Sequence, residues 1–100
     1  MSKIIFKSSG IYLGFIDNDF LFSRDGQYLG WLEGAHVWGA DGQYRGNLNE
    51  TNGNLYILRN MFVSMPIPRP PKISPNSPSL PQPPANINPI QLPIGFVDAF

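Results

Sequence analysis

The side chains that most often carry catalysis or bind metals are scarce in this chain of 100 residues. It has one histidine, His36, no cysteine, and seven aspartates and glutamates in total. A metal site or an acid–base pair needs several such groups close together. His36 lies in a short apolar run, which favours ordinary packing. We therefore expect no catalytic residue, no metal site and no cofactor.

Two aspartates have the spacing of neighbouring ligands in calcium-binding loops. Asp17 and Asp19 are two residues apart, as ligands are in an EF-hand, but the following glycine and the distal glutamate are missing. This pattern predicts a solvated turn. The serines have no nearby base in sequence, and no phosphate-binding glycine loop is present. The sequence therefore predicts a protein that is not an enzyme.

Aromatic side chains offer a second kind of chemistry, which is stacking on a ligand. Phe15 and Trp31 lie on the variable face of two predicted strands, and we expect them to form an exposed surface for a small ligand or carbohydrate. Stacking platforms for nucleic acid usually lie in a positive groove. Here seven basic residues balance seven acidic ones, so we expect no nucleic-acid partner.

The sequence shows no sign of a membrane segment. No apolar run approaches the ~20 residues of a membrane helix, and the N-terminal apolar run turns polar at Lys7. We expect no membrane association and a cytoplasmic location.

A change in composition divides the chain into two parts. All 11 prolines lie at or after Pro66, and nine of the 10 glycines lie at or before Gly53. Since proline cannot donate to a sheet ladder and breaks helices, residues 1–64 are predicted to form a β domain. Residues 65–100 are predicted to be an extended proline-rich tail.

The tail carries two candidate interaction elements. Pro75, Pro78, Pro81 and Pro84 recur every third residue, the period of polyproline II, so these four are predicted to lie along one edge of the tail. Residues 72–78 also match the basic-xxPxxP pattern of SH3 ligands, although serines stand where that pattern prefers apolar residues.

The second element is the apolar end of the tail. Residues 87–100 hold seven large apolar side chains and one charge. Such a segment is expected to pack on its own sheet, on a sister subunit in a homo-oligomer, or on another protein. These seven residues are Ile87, Ile90, Leu92, Ile94, Phe96, Val97 and Phe100.

The strands that position these residues are predicted from a repeated sequence motif. Residues 9–16, 25–32 and 41–48 share a turn glycine, a tyrosine and a second glycine at intervals of 16 residues. Asp25-Gly26 and Asp41-Gly42 between apolar runs predict hairpins whose type I′ turns have positive φ at both residues. No segment has helical periodicity.

Strand alternation predicts how the second strand of each hairpin packs. Tyr28, Gly30 and Leu32 are expected on the face that packs against the other copies, and Leu29 and Trp31 on the opposite face. The recurring mid-strand glycine predicts close approach of another backbone.

A fourth, irregular hairpin is needed to complete the set. The apolar run at residues 55–58 would be its first strand, Arg59-Asn60 its turn, and residues 61–65 its last strand. The fold predicted is all-β, with four hairpin repeats of about 16 residues in a pseudo-fourfold flower or barrel-like arrangement, followed by the tail.

The repeat of Asp-Gly-x-Tyr-x-Gly-x-Leu, followed by a long proline-rich tail with an aromatic end, resembles the bacterial 4-fold β flower family. The match covers the whole chain in layout and residues 4–63 in motif. The resemblance implies four short β units with pseudo-fourfold symmetry. It implies no activity and no site residues.

Three functional hypotheses follow. The first is a non-enzymatic protein-interaction or scaffold module whose tail docks on itself, a sister subunit or a partner. The second is a small-ligand or carbohydrate-binding module using the aromatic surface. The third is an accessory or regulatory subunit of an enzyme.

Overall fold

The computed structural model describes residues 2–75 and 78–100, and these residues form one eight-stranded sheet without a helix. The strands are β1 (Lys3–Phe6), β2 (Tyr12–Asp17), β3 (Phe20–Ser23), β4 (Tyr28–Glu33), β5 (His36–Gly39), β6 (Tyr44–Thr51), β7 (Asn54–Asn60) and β8 (Phe96–Asp98). The all-β prediction is confirmed.

Each strand pairs with the next one in antiparallel orientation. The sheet closes into a barrel-like ring because β1 also pairs with β7, in parallel, through Ile5 with Leu55 and Phe6 with Tyr56. The molecule is a disc with extents of 35 × 35 × 18 Å. Its four units are β1–β2, β3–β4, β5–β6 and β7–β8.

The turns inside the units differ from the prediction. Gly26 and Gly42 have φ of 87° and 88°, but Asp25 and Asp41 do not have positive φ. The Gly26 amide donates to the Ser23 carbonyl over 2.9 Å, and the Ser23 amide donates to the Gln27 carbonyl over 2.8 Å. This is a three-residue loop with a type I turn ended by a left-handed glycine. The predicted type I′ geometry is therefore wrong at the aspartates.

Paired positive φ values occur instead in two of the turns between strands of adjacent units. Asn18 and Asp19 have φ of 51° and 65°, and Asn52 and Gly53 have φ of 54° and 79°. Asparagine, aspartate and glycine tolerate this left-handed conformation best. Asp17 immediately precedes this tight turn and Asp19 is part of it, so the turn predicted at these two aspartates is confirmed.

A bulge in each of the first three units changes which side chains share a face. In the second unit Leu21 faces Gly30 while Phe22 faces Tyr28, so Leu29 is an extra residue. The extra residue reverses the alternation. Leu29 therefore packs with Leu32 in the central cluster, whereas Tyr28 lies beside Phe20 and Phe22. The prediction that Tyr28 shares a face with Leu32 is wrong for this reason.

The centre of the ring holds the main apolar cluster. Each unit contributes one fully buried residue from its first strand, and leucines or isoleucines from the second strands surround these four. The four central residues are Ile5, Leu21, Val37 and Ile57.

The mid-strand glycines permit the next strand to approach. A side chain at Gly14 would overlap the carbonyl of Phe22, and one at Gly30 would overlap the carbonyl of Trp38. At Gly46 a Cβ atom would lie 2.6 Å from the Leu58 carbonyl oxygen. The predicted close backbone approach is confirmed in all three copies.

The fourth unit is completed by the C-terminus. β7 continues through Arg59 and Asn60, and residues 61–65 form no strand. Its partner is β8, with Leu58 opposite Asp98 and Asn60 opposite Phe96. The predicted last strand at residues 61–65 is wrong, because the distant segment around Val97 takes that place.

Candidate functional site

The tail runs around the disc and contacts the same turn in three units. We call residues 66–95 the wrapping segment; Asn76 and Ser77 lie outside the described residues, and with them part of the predicted SH3-like pattern. A side chain at Gly42 would overlap the carbonyl of Arg69, and one at Gly10 would overlap that of Ile87. At Gly26 it would lie 2.9 Å from Leu80 Cδ2.

Backbone hydrogen bonds hold the wrapping segment at two of these turns. The Arg69 amide donates to the Gly42 carbonyl over 2.8 Å, and the Ile87 amide donates to the Gly10 carbonyl over 3.0 Å. The Ile90 amide adds a bond to the Ser8 carbonyl of 2.8 Å. Backbone contacts of this kind contribute affinity for an extended chain, and side-chain contacts add specificity.

Two cations of the wrapping segment cover tryptophans. The Arg69 guanidinium lies 5.2 Å from the centre of the Trp38 ring, and the Lys72 ammonium lies 5.3 Å from that of Trp31. Arg69 also forms an exposed ion pair with Glu33 at 3.4 Å. Each cation–π contact at such a site is worth about 0.5–1 kcal/mol.

The four prolines predicted to form one edge do share an environment. Pro75, Pro78, Pro81 and Pro84 are partly buried, whereas most described residues between them are exposed. Pro75 and Pro78 line a cleft together with Phe20 and Phe22. The edge therefore faces the protein's own sheet.

The C-terminal segment packs on two apolar clusters. Ile87, Ile90, Leu92 and Phe96 contact the cluster that contains Phe6, Tyr12, Tyr56 and Leu58. Phe100 reaches the central cluster, where the Arg45 guanidinium lies 4.6 Å from its ring centre. Ile94, in contrast, is 89% exposed and Val97 is 44% exposed.

One carboxylate links the C-terminal segment to the turn of the first unit through hydrogen bonds. Asp98 accepts hydrogen bonds from the Ser8 amide at 2.9 Å and from the Ser8 hydroxyl at 2.6 Å. This pair could not be predicted, since no local sequence pattern relates residues so far apart.

Phe15 and Trp31 do not form an exposed surface. Phe15 is 0% exposed and Trp31 is 1% exposed. Phe15 stacks on Phe22 at 5.4 Å between ring centres, and Trp31 donates from Nε1 to Glu33 over 3.1 Å beneath Lys72. The prediction of an exposed aromatic surface at these residues is wrong, because neighbouring units and the tail cover them.

The titratable groups are dispersed. Among residues 2–75 and 78–100, no three histidine, aspartate or glutamate side chains are close enough to hold a metal ion. His36 is exposed, and its ring packs edge-on against Tyr44 at 5.9 Å between ring centres. Its Nδ1 lies 3.1 Å from Asn47 Oδ1. No helix of the described chain could cross a membrane.

The three recurring tyrosines are buried or partly buried. Burial raises the pKa of Tyr28 above its ordinary value, and its hydroxyl donates to the Lys72 carbonyl over 3.3 Å. Burial likewise raises the pKa of Tyr12 and Tyr44, against smaller opposing effects of Arg24 and Arg59. All three phenols are therefore neutral at neutral pH, and those of Tyr28 and Tyr44 donate hydrogen bonds, to Lys72 and to Asn47.

The architecture defines a closed all-β protein of four short units. The chain belongs to the 4-fold beta flower protein family, whose model matches residues 3–96. Comparisons with curated proteins and with solved structures found no match.

Proposed function

We propose that this protein is a non-enzymatic interaction module that binds extended, proline-rich segments along the edge of its disc. The observation that carries the proposal is the repeated contact between a turn glycine and the wrapping segment, at Gly10, Gly26 and Gly42. Two of these turns hold the backbone of the extended segment, and the third contacts the Leu80 side chain.

The chemistry of these places supports a ligand of this kind. Carbonyls at the turns accept amide protons, aromatic rings receive cationic side chains, and a cleft beside Phe20 and Phe22 receives prolines. Proline-rich chains bind such surfaces at low entropic cost because their extended form is already restricted.

The source of the segment can be the protein's own tail, the tail of a second copy, or another protein. An intramolecular tail has a high effective concentration and competes with any segment in trans. The hypothesis of an accessory subunit is the case in which an enzyme carries the bound segment.

A competition experiment tests the proposal in the full-length protein. A fluorescent peptide of residues 66–75 is titrated with wild type and with the Arg69→Ala, Lys72→Ala double variant, using anisotropy. We expect tighter binding to the double variant, whose own tail has lost both cation–π contacts. Lys3→Ala, at an exposed cation of β1, is the matched control and should bind like wild type.

Two results would contradict the proposal. One is absence of binding to both proteins, and the other is equal binding of a peptide with its arginine and lysine replaced by alanine. Light scattering on a sizing column then distinguishes a second copy as the source, since exchange of tails between copies doubles the mass.

A further inference from the structure

One repeat position changes from an aromatic residue to an amide. Phe15 and Trp31 occupy it in the first two units, and each faces an aromatic residue of the next strand, Phe22 or Trp38. In the third unit Asn47 faces Leu58. The two rings that close the sheet surface elsewhere are therefore missing here.

A cleft of about 260 Å³ lies at this place, between β6, β7 and β8. We call it the asparagine cleft. Its lining residues are Tyr44, Asn47, Asn49, Leu58, Asn60, Val63 and Phe96.

Hydrogen bonds fix the orientation of the three amides. The Tyr44 hydroxyl donates to Asn47 Oδ1 over 2.6 Å, and Asn49 Nδ2 donates to the Asn47 carbonyl over 3.0 Å. The Phe62 amide donates to Asn60 Oδ1, also over 3.0 Å. Within the described chain, these bonds leave the amide nitrogens of Asn47 and Asn60 and the Oδ1 oxygen of Asn49 available to a ligand.

The available groups select a class of ligand. The lining contains no charged side chain. The nearby Arg59, whose charge acts on Tyr44, donates to Met65 Sδ instead, so an ionic ligand would lose hydration without a direct counter-charge. Carboxamides present donors and acceptors side by side, as hydroxyl groups require. Leu58, Val63 and Phe96 add apolar walls that suit the C–H surface of a sugar ring.

We propose that the asparagine cleft binds a neutral polyhydroxylated ligand of about one sugar unit, free or at the end of a glycan. Its volume is slightly below the range of about 300–1,000 Å³ for small-molecule sites, which fits a ligand of this size. The site is independent of the peptide-binding surface, because the turns at Gly10, Gly26 and Gly42 do not line it.

NMR of ¹⁵N-labelled full-length protein tests this proposal. Glucose, galactose, mannose and N-acetylglucosamine are titrated separately to about ten times a Kd of about 1 mM. We expect at least one of them to shift the side-chain amide signals of Asn47, Asn49 and Asn60, and to leave those of Asn88 unchanged. Glucuronate, a charged counterpart, is expected to bind at least tenfold more weakly.

Variants connect the binding to the cleft. Asn47→Phe restores the ring of the other units and should abolish the shifts, and Asn60→Ala should weaken binding at least tenfold. Asn88→Ala, at an exposed amide outside the cleft, is the matched control. A glycan array with the wild-type protein distinguishes a free sugar from the end of a glycan. Binding to array glycans without binding of monosaccharides would identify the ligand as the terminal sugar of a glycan. Binding of monosaccharides would identify it as a free sugar.

The proposal is overturned by absence of cleft shifts with every sugar together with no retention on the array. It is also overturned if glucuronate binds as well as the neutral sugars, or if Asn47→Phe and Asn60→Ala bind like wild type.

Discussion

One tyrosine position shows how the same residue serves different contacts in successive units. The Tyr28 hydroxyl donates to the tail at the Lys72 carbonyl, and the Tyr44 hydroxyl donates to Asn47. The Tyr12 hydroxyl is buried without a partner among the described residues. Leaving such a group unpaired costs about 1–3 kcal/mol. What the three copies share is therefore the tyrosine ring, not a common hydrogen bond of its hydroxyl.

Removing two of these hydroxyls should have opposite effects on stability. Tyr12→Phe is expected to raise the free energy of unfolding by about 1 kcal/mol, because it deletes an unpaired buried group. Tyr44→Phe should lower it by about 0.5–1.5 kcal/mol, because it breaks the bond to Asn47. Urea denaturation of the two variants measures both, and a loss of stability in Tyr12→Phe would refute the expectation.

The raised pKa values of the tyrosines predict sensitivity to alkali. Burial raises the pKa of Tyr12, Tyr28 and Tyr44, so the unfolded chain loses phenol protons at lower pH than the folded protein. Stability is thus unaffected by these groups below about pH 10 and falls as the pH rises above it.

Urea midpoints measured between about pH 8 and pH 11 check this dependence, which begins near the ordinary tyrosine pKa. Tyr28→Phe removes one titrating group and should show a smaller fall than wild type. Equal falls in the two proteins would assign the effect to other groups.

At the scale of elements, the bulge and the glycine that follows it organise each unit. The bulge brings Leu29 beside Leu32 in the central cluster, and Gly30 admits the carbonyl of Trp38. A residue with a side chain would not fit at position 30 without displacing this carbonyl. At Gly34, in the turn before β5, φ is 62° and nothing lies within 4 Å of an added Cβ.

Alanine at these two glycines should therefore have different costs. Gly30→Ala forces a backbone carbonyl to move and is expected to cost about 3 kcal/mol, at the upper end for overpacking. Gly34→Ala adds only left-handed strain of about 1–2 kcal/mol. Urea melts give the ranking, and a greater loss in Gly34→Ala would mean that the sheet relaxes easily at Gly30.

The residues that flank the last strand contribute unequally to stability. Phe100 packs on the central cluster and under Arg45, so Phe100→Ala should cost about 2 kcal/mol, below the 3–5 kcal/mol of a fully buried ring. Ile94→Ala, at an exposed apolar residue, should change stability by less than about 0.5 kcal/mol. Thermal melts of both variants test the contrast, which disappears if the C-terminus is loosely attached.

The sequence allowed the repeated elements to be predicted, but not their connections through space. Apolar alternation and the glycine spacing sufficed for the first three hairpins and for the close approach at Gly30. Alternation alone could not reveal the bulge at Leu29, because an extra residue leaves no mark in the pattern. The replacement of the aromatic residue of earlier repeats by Asn47 is visible in the sequence and marks the position of the asparagine cleft. The burial of Phe15 and Trp31 could not be predicted, because the residues that cover them belong to a neighbouring unit and to the tail.

At the scale of the whole molecule, the ring is completed by parts that are distant in the chain. β8 supplies the second strand of the fourth unit, and Asp98 binds Ser8 of the first unit. The wrapping segment joins these parts around the disc.

Removal of residues 85–100 should therefore weaken the entire protein. Several partly buried side chains are lost, and full burial of each would be worth about 1.5–3 kcal/mol, against a typical total stability of about 5–15 kcal/mol. We expect the shortened chain to lose its cooperative unfolding transition in urea. A synthetic peptide of residues 85–100, added in trans, should restore that transition, whereas a scrambled peptide should not. An unchanged midpoint in the shortened chain would show that the first seven strands suffice.

The bond between Ser8 and Asp98 spans 90 residues of chain, and it has a consequence for synthesis. A growing polypeptide is made from its N-terminus, so Ser8 leaves the ribosome long before Asp98 does. The first three hairpins can form by local contacts while the chain is still being made. The fourth unit waits until residues 96–98 have been made, and closing so long a loop costs entropy before any contact rewards it. Ring closure therefore follows the first three hairpins, and until it occurs the central cluster is open on one side.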